Sequence, residues 1–419
     1  MNTRALTFIL LAATLVAPSS KAENWPHWRG PQRNGVSTES GIPSHWSATG
    51  GVVWKLALPD TSGSTPIIWD DHVFLNVAQD KDLSLWAVSR TQGKVLWQRH
   101  LDDRNEDNRK GNMSSPSPVT DGESVWVMTG TGVLTGFDFQ GHQLWQRDLQ
   151  QEYGKFGILH GYSSSPLLHR NTLFVQVLHG FHTDDPSYVL AIDAVSGKNR
   201  WRIERPTDAP KEAPDAYTTP ALLEIEGQTT LVISGADYVT GHDPDTGNEI
   251  WRVGGLNPTR NPMQRIVASP VVVGSMIYAP SRVRPLLALA ATGGARRQPE
   301  LVWSMDRGPD VPSPVVDDQH VYLLTDKGIL WCLDASTGDV VWGPERISSA
   351  IYSASPLLAD GKLYATSEQG LTTVIRAGSQ FEVLAENAIE EYTLASMAVA
   401  QGQLFLRTAE NLYCLDGEE

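Results

Sequence analysis

The chain predicts an all-β fold: a closed, eight-bladed β-propeller of four-stranded antiparallel blades. Three observations carry this reading. A Pro closing a Ser/Thr-rich tract recurs at Pro66, Pro118, Pro166, Pro220, Pro270, Pro314 and Pro356. An apolar or β-branched run begins seven residues after most of them, at Val73, Val125, Leu173, Ile277, Val321 and Leu363, while the Pro220 unit carries an insertion and resumes at Leu231. The period, roughly 40–55 residues, is that of propeller blades and not of helical solenoids.

Each unit divides into four strands. "SASPLLAD" shows the first, "GKLYATS" the second, "GILWCLDA" the third, and a Trp-containing run the fourth. Apolar residues alternate within these runs, and Gly or Asp punctuates the junctions, as half-buried strands require. In the D-A-x-T-G phrase the Asp closes an Asx turn and the Gly supplies positive φ. Trp97, Trp145, Trp201, Trp251 and Trp342 each follow that Gly by four residues; Trp303 keeps the role after an insertion, and unit seven offers Phe381 instead. These large flat side chains are expected to pack between adjacent sheets.

An eighth unit has Met397 where the Pro would stand, resumes at Leu404, and stops at "LYCLDGEE" without a turn or a Trp. Its missing quarter is "TGGVVWKLAL", residues 49–58, at the other end of the chain. A sheet ring with an unpaired last edge invites association. The N-terminal segment is therefore expected to supply the outer strand of the last blade, giving one propeller domain over residues 49–419.

Residues 1–22 read as a secretory signal: Arg4 is the positive start, Ala5 to Ala17 the apolar core, and "SSKA" the cleavage site. The run is too short to span a bilayer and no other transmembrane segment follows. No Cys lies near the cut to carry a lipid anchor, so a periplasmic or secreted protein is expected. Residues 23–48 form a leader in which Trp25, Pro26, Trp28, Arg29 and Pro31 read as an extended clamp, its Trp residues capping the ring. The formal charge of −15 becomes −17 once Arg4 and Lys21 leave with the signal, which argues against nucleic acid as a partner. Cys332 and Cys414 occupy the same slot of the third strand in two non-neighbouring units, where Ala87 and Ala191 stand elsewhere, and read as buried small hydrophobes and not as a disulfide.

The phrases "LAIDAVSGKNRW" and "LWCLDASTGDVVW" resemble the tryptophan-docking motif of the quinoprotein-type (PQQ-like) repeat propeller family, over nearly the whole mature chain. The resemblance implies the fold and leaves several functions open. One branch comprises dehydrogenases that use pyrroloquinoline quinone with a calcium ion. Another comprises non-catalytic scaffolds such as the outer-membrane protein assembly factor B. The opening "NWPHWRGPQRNGVS" is similar to the leader of exported propellers of this type from planctomycete-like bacteria. The catalytic branch carries an adjacent Cys pair, which this chain lacks, and no Glu/Asn/Asp set maps onto its calcium ligands. The resemblance thus favours a non-catalytic binding or scaffold protein of the cell envelope, a monomer without cofactor, partnered by an envelope protein or a polysaccharide. The alternative is an enzyme working at the channel mouth, either an oxidoreductase using pyrroloquinoline quinone with calcium or a carbohydrate-active, uronate lyase-like enzyme.

The loops entering strand one surround that mouth. They contribute His160, Tyr162, Asp215, Tyr217, Arg265, Asp310, Tyr352 and Tyr392. Tyrosines with an Arg and a His suit a sugar or an anionic group. The same set suits acid–base β-elimination from uronic acids, with Arg neutralising the carboxylate. A third reading has the Tyr side chains filling the funnel and hydrogen-bonding between blades. In "LHGFHTDDPSY", His179, His182, Asp184 and Asp185 are metal-ligating types, but as a connecting loop the stretch needs no metal to explain its polarity. The mixed-charge run at residues 102–112 and the Pro-stiffened stretch at 205–215 read as solvated loops.

Overall fold

The computed structural model describes residues 23–282 and 285–417; the expected signal, residues 1–22, lies outside them. Each unit folds into an antiparallel meander, giving blades at 67–102, 119–148, 167–204, 221–253, 271–305, 315–346, 357–388 and 398–415. Blade 8 has three strands of its own. Its fourth is Val52–Ala57, paired antiparallel with Asn411–Leu415 from Val52↔Leu415 to Ala57↔Asn411. All five residues of the covered strand are buried. The ring is thus closed by the two ends of the chain, and the fold is an eight-bladed all-β propeller.

The blades are fastened at two radii. On the outside, each docking Trp donates its indole N–H to a backbone carbonyl in the turn of the next blade. The pairs are Trp54 to Arg90 (2.6 Å), Trp97 to Phe139 (2.9 Å), Trp145 to Ala194 (2.8 Å), Trp201 to Pro244 (2.9 Å), Trp251 to Ala295 (3.3 Å), Trp303 to Ala335 (3.1 Å) and Trp342 to Gly378 (2.8 Å). The turn glycine must be Gly for two reasons. Gly93 has φ +64°, and a Cβ there would lie 2.5 Å from the Trp54 ring.

On the inside, the Ser or Thr before each Pro makes a belt round the channel. Its hydroxyl accepts the N–H of its counterpart one blade earlier: Thr65 to Ser117, Ser117 to Ser165, Ser165 to Thr219, Thr219 to Ser269, Ser269 to Ser313, Ser313 to Ser355 and Ser355 to Ser396, all at 2.9–3.1 Å. Inward-facing N–H groups that no strand can pair are satisfied this way. The belt stays open between blades 8 and 1, where the Thr65 hydroxyl is buried without a partner.

The leader departs from the extended clamp. Residues 28–33 are a series of turns lodged in the channel. The reason is a set of inward carbonyls that lack strand partners. The buried Arg29 guanidinium donates to the carbonyls of Pro356 (3.0 Å), Pro314 (2.8 Å) and Asn34 (3.1 Å), while Thr120 N–H reaches Pro26. Burial without a carboxylate partner pushes the Arg29 pKa down to about 9. The chain then leaves the channel as a two-residue strand, Val36–Ser37, parallel to Leu357–Ala359, so blade 7 carries a fifth strand where four were expected. Farther out it covers the seam that lacks a docking Trp. Tyr364 donates to the Pro43 carbonyl (3.0 Å), as the equivalent Tyr278 donates to Ala335 in the next blade's turn (3.0 Å). Trp46 stacks on Tyr364 with ring centroids 6.3 Å apart. Pro43 and Trp46 therefore stand in for the docking pair between blades 7 and 8.

Cys332 and Cys414 are both free and buried, and burial pushes each thiol up to about 12. Among the described residues no helix is long and apolar enough to cross a membrane.

Candidate functional site

The loops entering strand one enclose a funnel of about 520 Å³, within the roughly 300–1,000 Å³ typical of small-ligand pockets. Trp28 of the leader forms its floor. The same residue roofs a void of about 30 Å³ lined by Arg29, Arg33 and the strand-one prolines Pro166, Pro220 and Pro270, so the channel is a closed-bottomed cup. The cup wall is the inner belt: Ser117, Ser165, Thr219, Ser313, Ser355 and Ser396 all line it. Each of these hydroxyls already accepts a backbone N–H, which leaves its own hydrogen free to donate.

The rim is cationic although the chain carries −15. Arg109, Lys110, Arg265, Arg282 and Lys327 line it together with His160, against the carboxylates of Asp310 and Asp326. Arg265 stands 3.4 Å from Glu212 and 3.8 Å from Asp310, and Arg282 lies 3.6 Å from Asp310. Lys110 reaches across to Glu368 at 2.6 Å, which draws the connection between blades 1 and 2 over the mouth. Arg109 and Lys327 have no ion-pair partner among the described residues. Burial, and then the Arg265 charge, lower the His160 pKa, with Arg109 and Arg282 acting in the same direction. The Glu212 carboxylate, 3.8 Å from the imidazole Nε2, acts in the opposite direction without reversing the shift.

The predicted rim residues divide. His160, Tyr217, Arg265 and Asp310 line the cup. Tyr217 and His160 lie with ring centroids 6.3 Å apart, and the Tyr217 hydroxyl accepts the His160 backbone N–H at 3.1 Å. Tyr162 and Tyr352 turn under the loops instead. Tyr162 is buried and donates to the Gln176 carbonyl at 3.0 Å; Tyr352 is fully buried against Ser348. A phenol ring at those positions covers more apolar surface inside the blade than at the mouth. Asp215 is buried as well, its carboxylate accepting N–H groups from Leu159, Gly180 and Phe181. It organises two rim loops rather than facing the cup. Tyr392 is exposed outside the cup lining.

His179 is buried, its Nδ1 accepting the Gly157 N–H and its Nε2 facing the Pro186 carbonyl, which uses both ring nitrogens within the loop. Among the described residues, the one group of three metal-ligating side chains brought together is Asp82, His100 and Asp103, in the open on blade 1. His182, Asp184 and Asp185 join no such group. Sequence reasoning missed Trp28, Arg109, Lys110, Arg282, Lys327 and Glu212 as site residues. The signal available was the position of Arg109 and Lys110, one connection away from a strand-one Pro, inside a run read as solvated.

Sequence and structure comparisons agree on the fold family. The profile of the outer membrane protein assembly factor BamB family matches residues 36–176 and 113–343. No curated protein sequence matches. Among solved structures, BamB from Moraxella catarrhalis is similar at 14% identity, covering 87% of this chain and 99% of that one, with a TM-score of 0.64. The quinohemoprotein alcohol dehydrogenase from Comamonas testosteroni is 14% identical over 94% and 81% of the two chains, with a TM-score of 0.66. A europium-containing methanol dehydrogenase is 12% identical over 93% and 90%, with a TM-score of 0.71. Such identities speak for the fold alone.

The cup does not fit a calcium-held quinone. Of the carboxylates at the cup, Glu212 faces Arg265 and Asp310 faces Arg265 and Arg282, which leaves Asp326 as the one lining carboxylate without an ion-pair partner among the described residues. Calcium takes six to eight oxygen ligands, with carboxylates supplying the charge, and one unpaired lining carboxylate supplies little of it. The two thiols sit in separate blades, each in the blade interior. The repeat, the docking tryptophans and the profile match over most of its length place this chain in the PQQ-like repeat propeller family of the outer membrane protein assembly factor BamB.

Proposed function

We propose that this protein is an exported, non-catalytic binding propeller of the cell envelope, with the closed cup as its ligand seat. One observation carries the reading: the carboxylates Glu212, Asp310 and Asp215 are engaged with guanidiniums or loop backbone, while the groups left free at the cup are chiefly donors and cations. Glu212 and Asp310 face guanidiniums, and Asp215 holds three backbone N–H groups. Arg109, Lys327 and the belt hydroxyls remain to bind. The expected signal at residues 1–22 supports export, and the family's description as an outer membrane assembly factor supports an envelope setting.

The test combines turnover with binding. Purified protein given pyrroloquinoline quinone and calcium should reduce no dye with alcohols or sugars. A thermal-shift panel of neutral and acidic polysaccharides should return at least one stabilising ligand. Dye reduction overturns the reading, and a silent panel removes the cup as the seat.

A second reading has one observation in its favour. His160, Tyr217 and Arg265 share one corner, where burial lowers the His160 pKa and so favours the basic, unprotonated ring. That is the arrangement the uronate lyase alternative needs. Ultraviolet absorbance of an unsaturated product from polyuronates decides it.

A further inference from the structure

The cup's chemistry narrows the ligand, on the premise that the cup is the binding seat. We infer that it receives the end of an acidic saccharide, the anionic group meeting Arg109, Arg265 and Arg282 and the hydroxyls meeting the serine belt.

Four features point the same way. First, the lining is short of acceptors. Six belt hydroxyls accept from backbone and have a hydrogen left to give, and five cationic side chains line the cup beside them, Arg109 and Lys327 without an ion-pair partner among the described residues. A matching ligand must be rich in acceptor oxygens, as a polyol bearing a carboxylate or sulfate is. Second, the cations converge. Arg109 comes from the connection between blades 1 and 2, Arg265 from that between blades 4 and 5, and Arg282 from a hairpin within blade 5, yet all three charges act on His160. Arg265 and Arg282 face Glu212 and Asp310, and Arg109 is left without an ion-pair partner among the described residues. Guanidiniums pair with carboxylate or sulfate oxygens in bidentate fashion, which an acceptor-poor ligand would waste. Third, the floor is aromatic. Trp28 is partly exposed in the cup, and the apolar face of a sugar ring is a natural partner for such a surface. Fourth, the closed floor admits a chain end or a short oligomer and forbids threading through the ring.

Arg109 is the residue to change, since it is exposed and holds nothing else in place. Calorimetric titration with a galacturonate trimer, a sulfated galactan oligomer and the neutral galactose trimer separates the contributions. The acidic ligands should bind at least about 100-fold more tightly than the neutral one, and their ranking distinguishes carboxylate from sulfate. Arg109→Ala should weaken the acidic ligands roughly tenfold and leave the neutral one unchanged, the loss of one charge-assisted contact. Equal affinity for acidic and neutral trimers overturns the inference, as does binding of neither. If an acidic peptide binds in their place, the cup remains a binding seat and the saccharide assignment fails. If the galacturonate is bound and cleaved, the assignment stands and the non-catalytic reading fails.

Discussion

The two cysteines report on the seam where the chain ends meet. In every blade with a docking Trp, the residue opposite it on the third strand is small: Ala87 faces Trp97, Gly136 faces Trp145, Ala191 faces Trp201, Gly241 faces Trp251 and Ala288 faces Trp303. Cys332 opposite Trp342 and Cys414 opposite Trp54 fill the same slot. Trp54 is the one docking Trp held by the N-terminal strand. Trp54→Ala removes a partly buried indole, its packing on Phe405 at 6.1 Å and its hydrogen bond to Arg90. Truncating a Trp costs roughly 3–5 kcal/mol when fully buried. With partial exposure taking the low end and about 1 kcal/mol for the hydrogen bond, the local loss is about 3–4 kcal/mol. At 1.4 kcal/mol per decade, opening of the Asn411–Leu415 edge should become at least about 100-fold more frequent. The assay is the rate of Cys414 alkylation in a Cys332→Ala background, a substitution the slot accommodates elsewhere. Closed, the thiol is buried with its pKa raised to about 12; open, it returns to roughly 8.5 and reacts. Trp342→Ala with Cys332 as the reporter and Cys414→Ala as background is the in-chain control, and Trp54→Ala should not raise Cys332 reactivity. Equal acceleration at both cysteines would mean global unfolding and would refute a separately opening seam.

Two further outcomes follow from the belt and from Asp215. Ser269→Ala takes the acceptor from the Thr219 N–H and should cost about 1–3 kcal/mol in urea unfolding, whereas Thr65→Val, at the open link, should be neutral or stabilising; a reversed order would discredit the belt as a fastening. Burial raises the Asp215 pKa to about 6 against three N–H donors that lower it. The folded protein therefore prefers the protonated acid, and that stability, present below about pH 4, is lost as pH rises through about 6, by up to roughly 3 kcal/mol. Asp215→Asn should remove this slope between pH 4 and 6, and an unchanged slope in urea midpoints would exclude Asp215 as its source.

The fold was legible because its information is local and repeated. The Pro that ends each Ser/Thr tract, the D-A-x-T-G turn and the Trp four residues later recur with every blade, and the incomplete eighth unit pointed directly to residues 49–58. The leader was opaque for the opposite reason. Arg29 is held by carbonyls of Pro314 and Pro356, contacts that no pattern within residues 23–48 announces. At the mouth, the correct loops were legible and the side-chain directions were not. Tyr162 and Tyr352 each precede their Pro by four residues, yet both fold under the loop, while Tyr217, three residues before its own, lines the cup. Arg282 and Lys327 escaped because they come from hairpins between strands two and three, a second class of loop opening on the same face.

The cup's positive rim on an acidic protein has a consequence for what reaches it. Charges separated by more than about 8–10 Å are screened at physiological salt, so the −15 of the whole chain governs approach over the outer surface and the rim cations govern only what enters. A long polyanion lying flat across the face stays outside the cup. An end inserted into the cup meets Arg109, Arg265 and Arg282 at short range, with a floor of Trp28 that stops it. The fold does not need Arg109 or Lys327 for its own stability, since belt and leader already satisfy the backbone around the channel. Burial, and then the Arg265 charge with Arg109 and Arg282 in the same direction, depress the His160 pKa, and an inserted anion beside the unpaired Arg109 relieves repulsion among these cations. Preference for a chain end over a chain middle thus rests on the closed floor and on the cations gathered inside the cup.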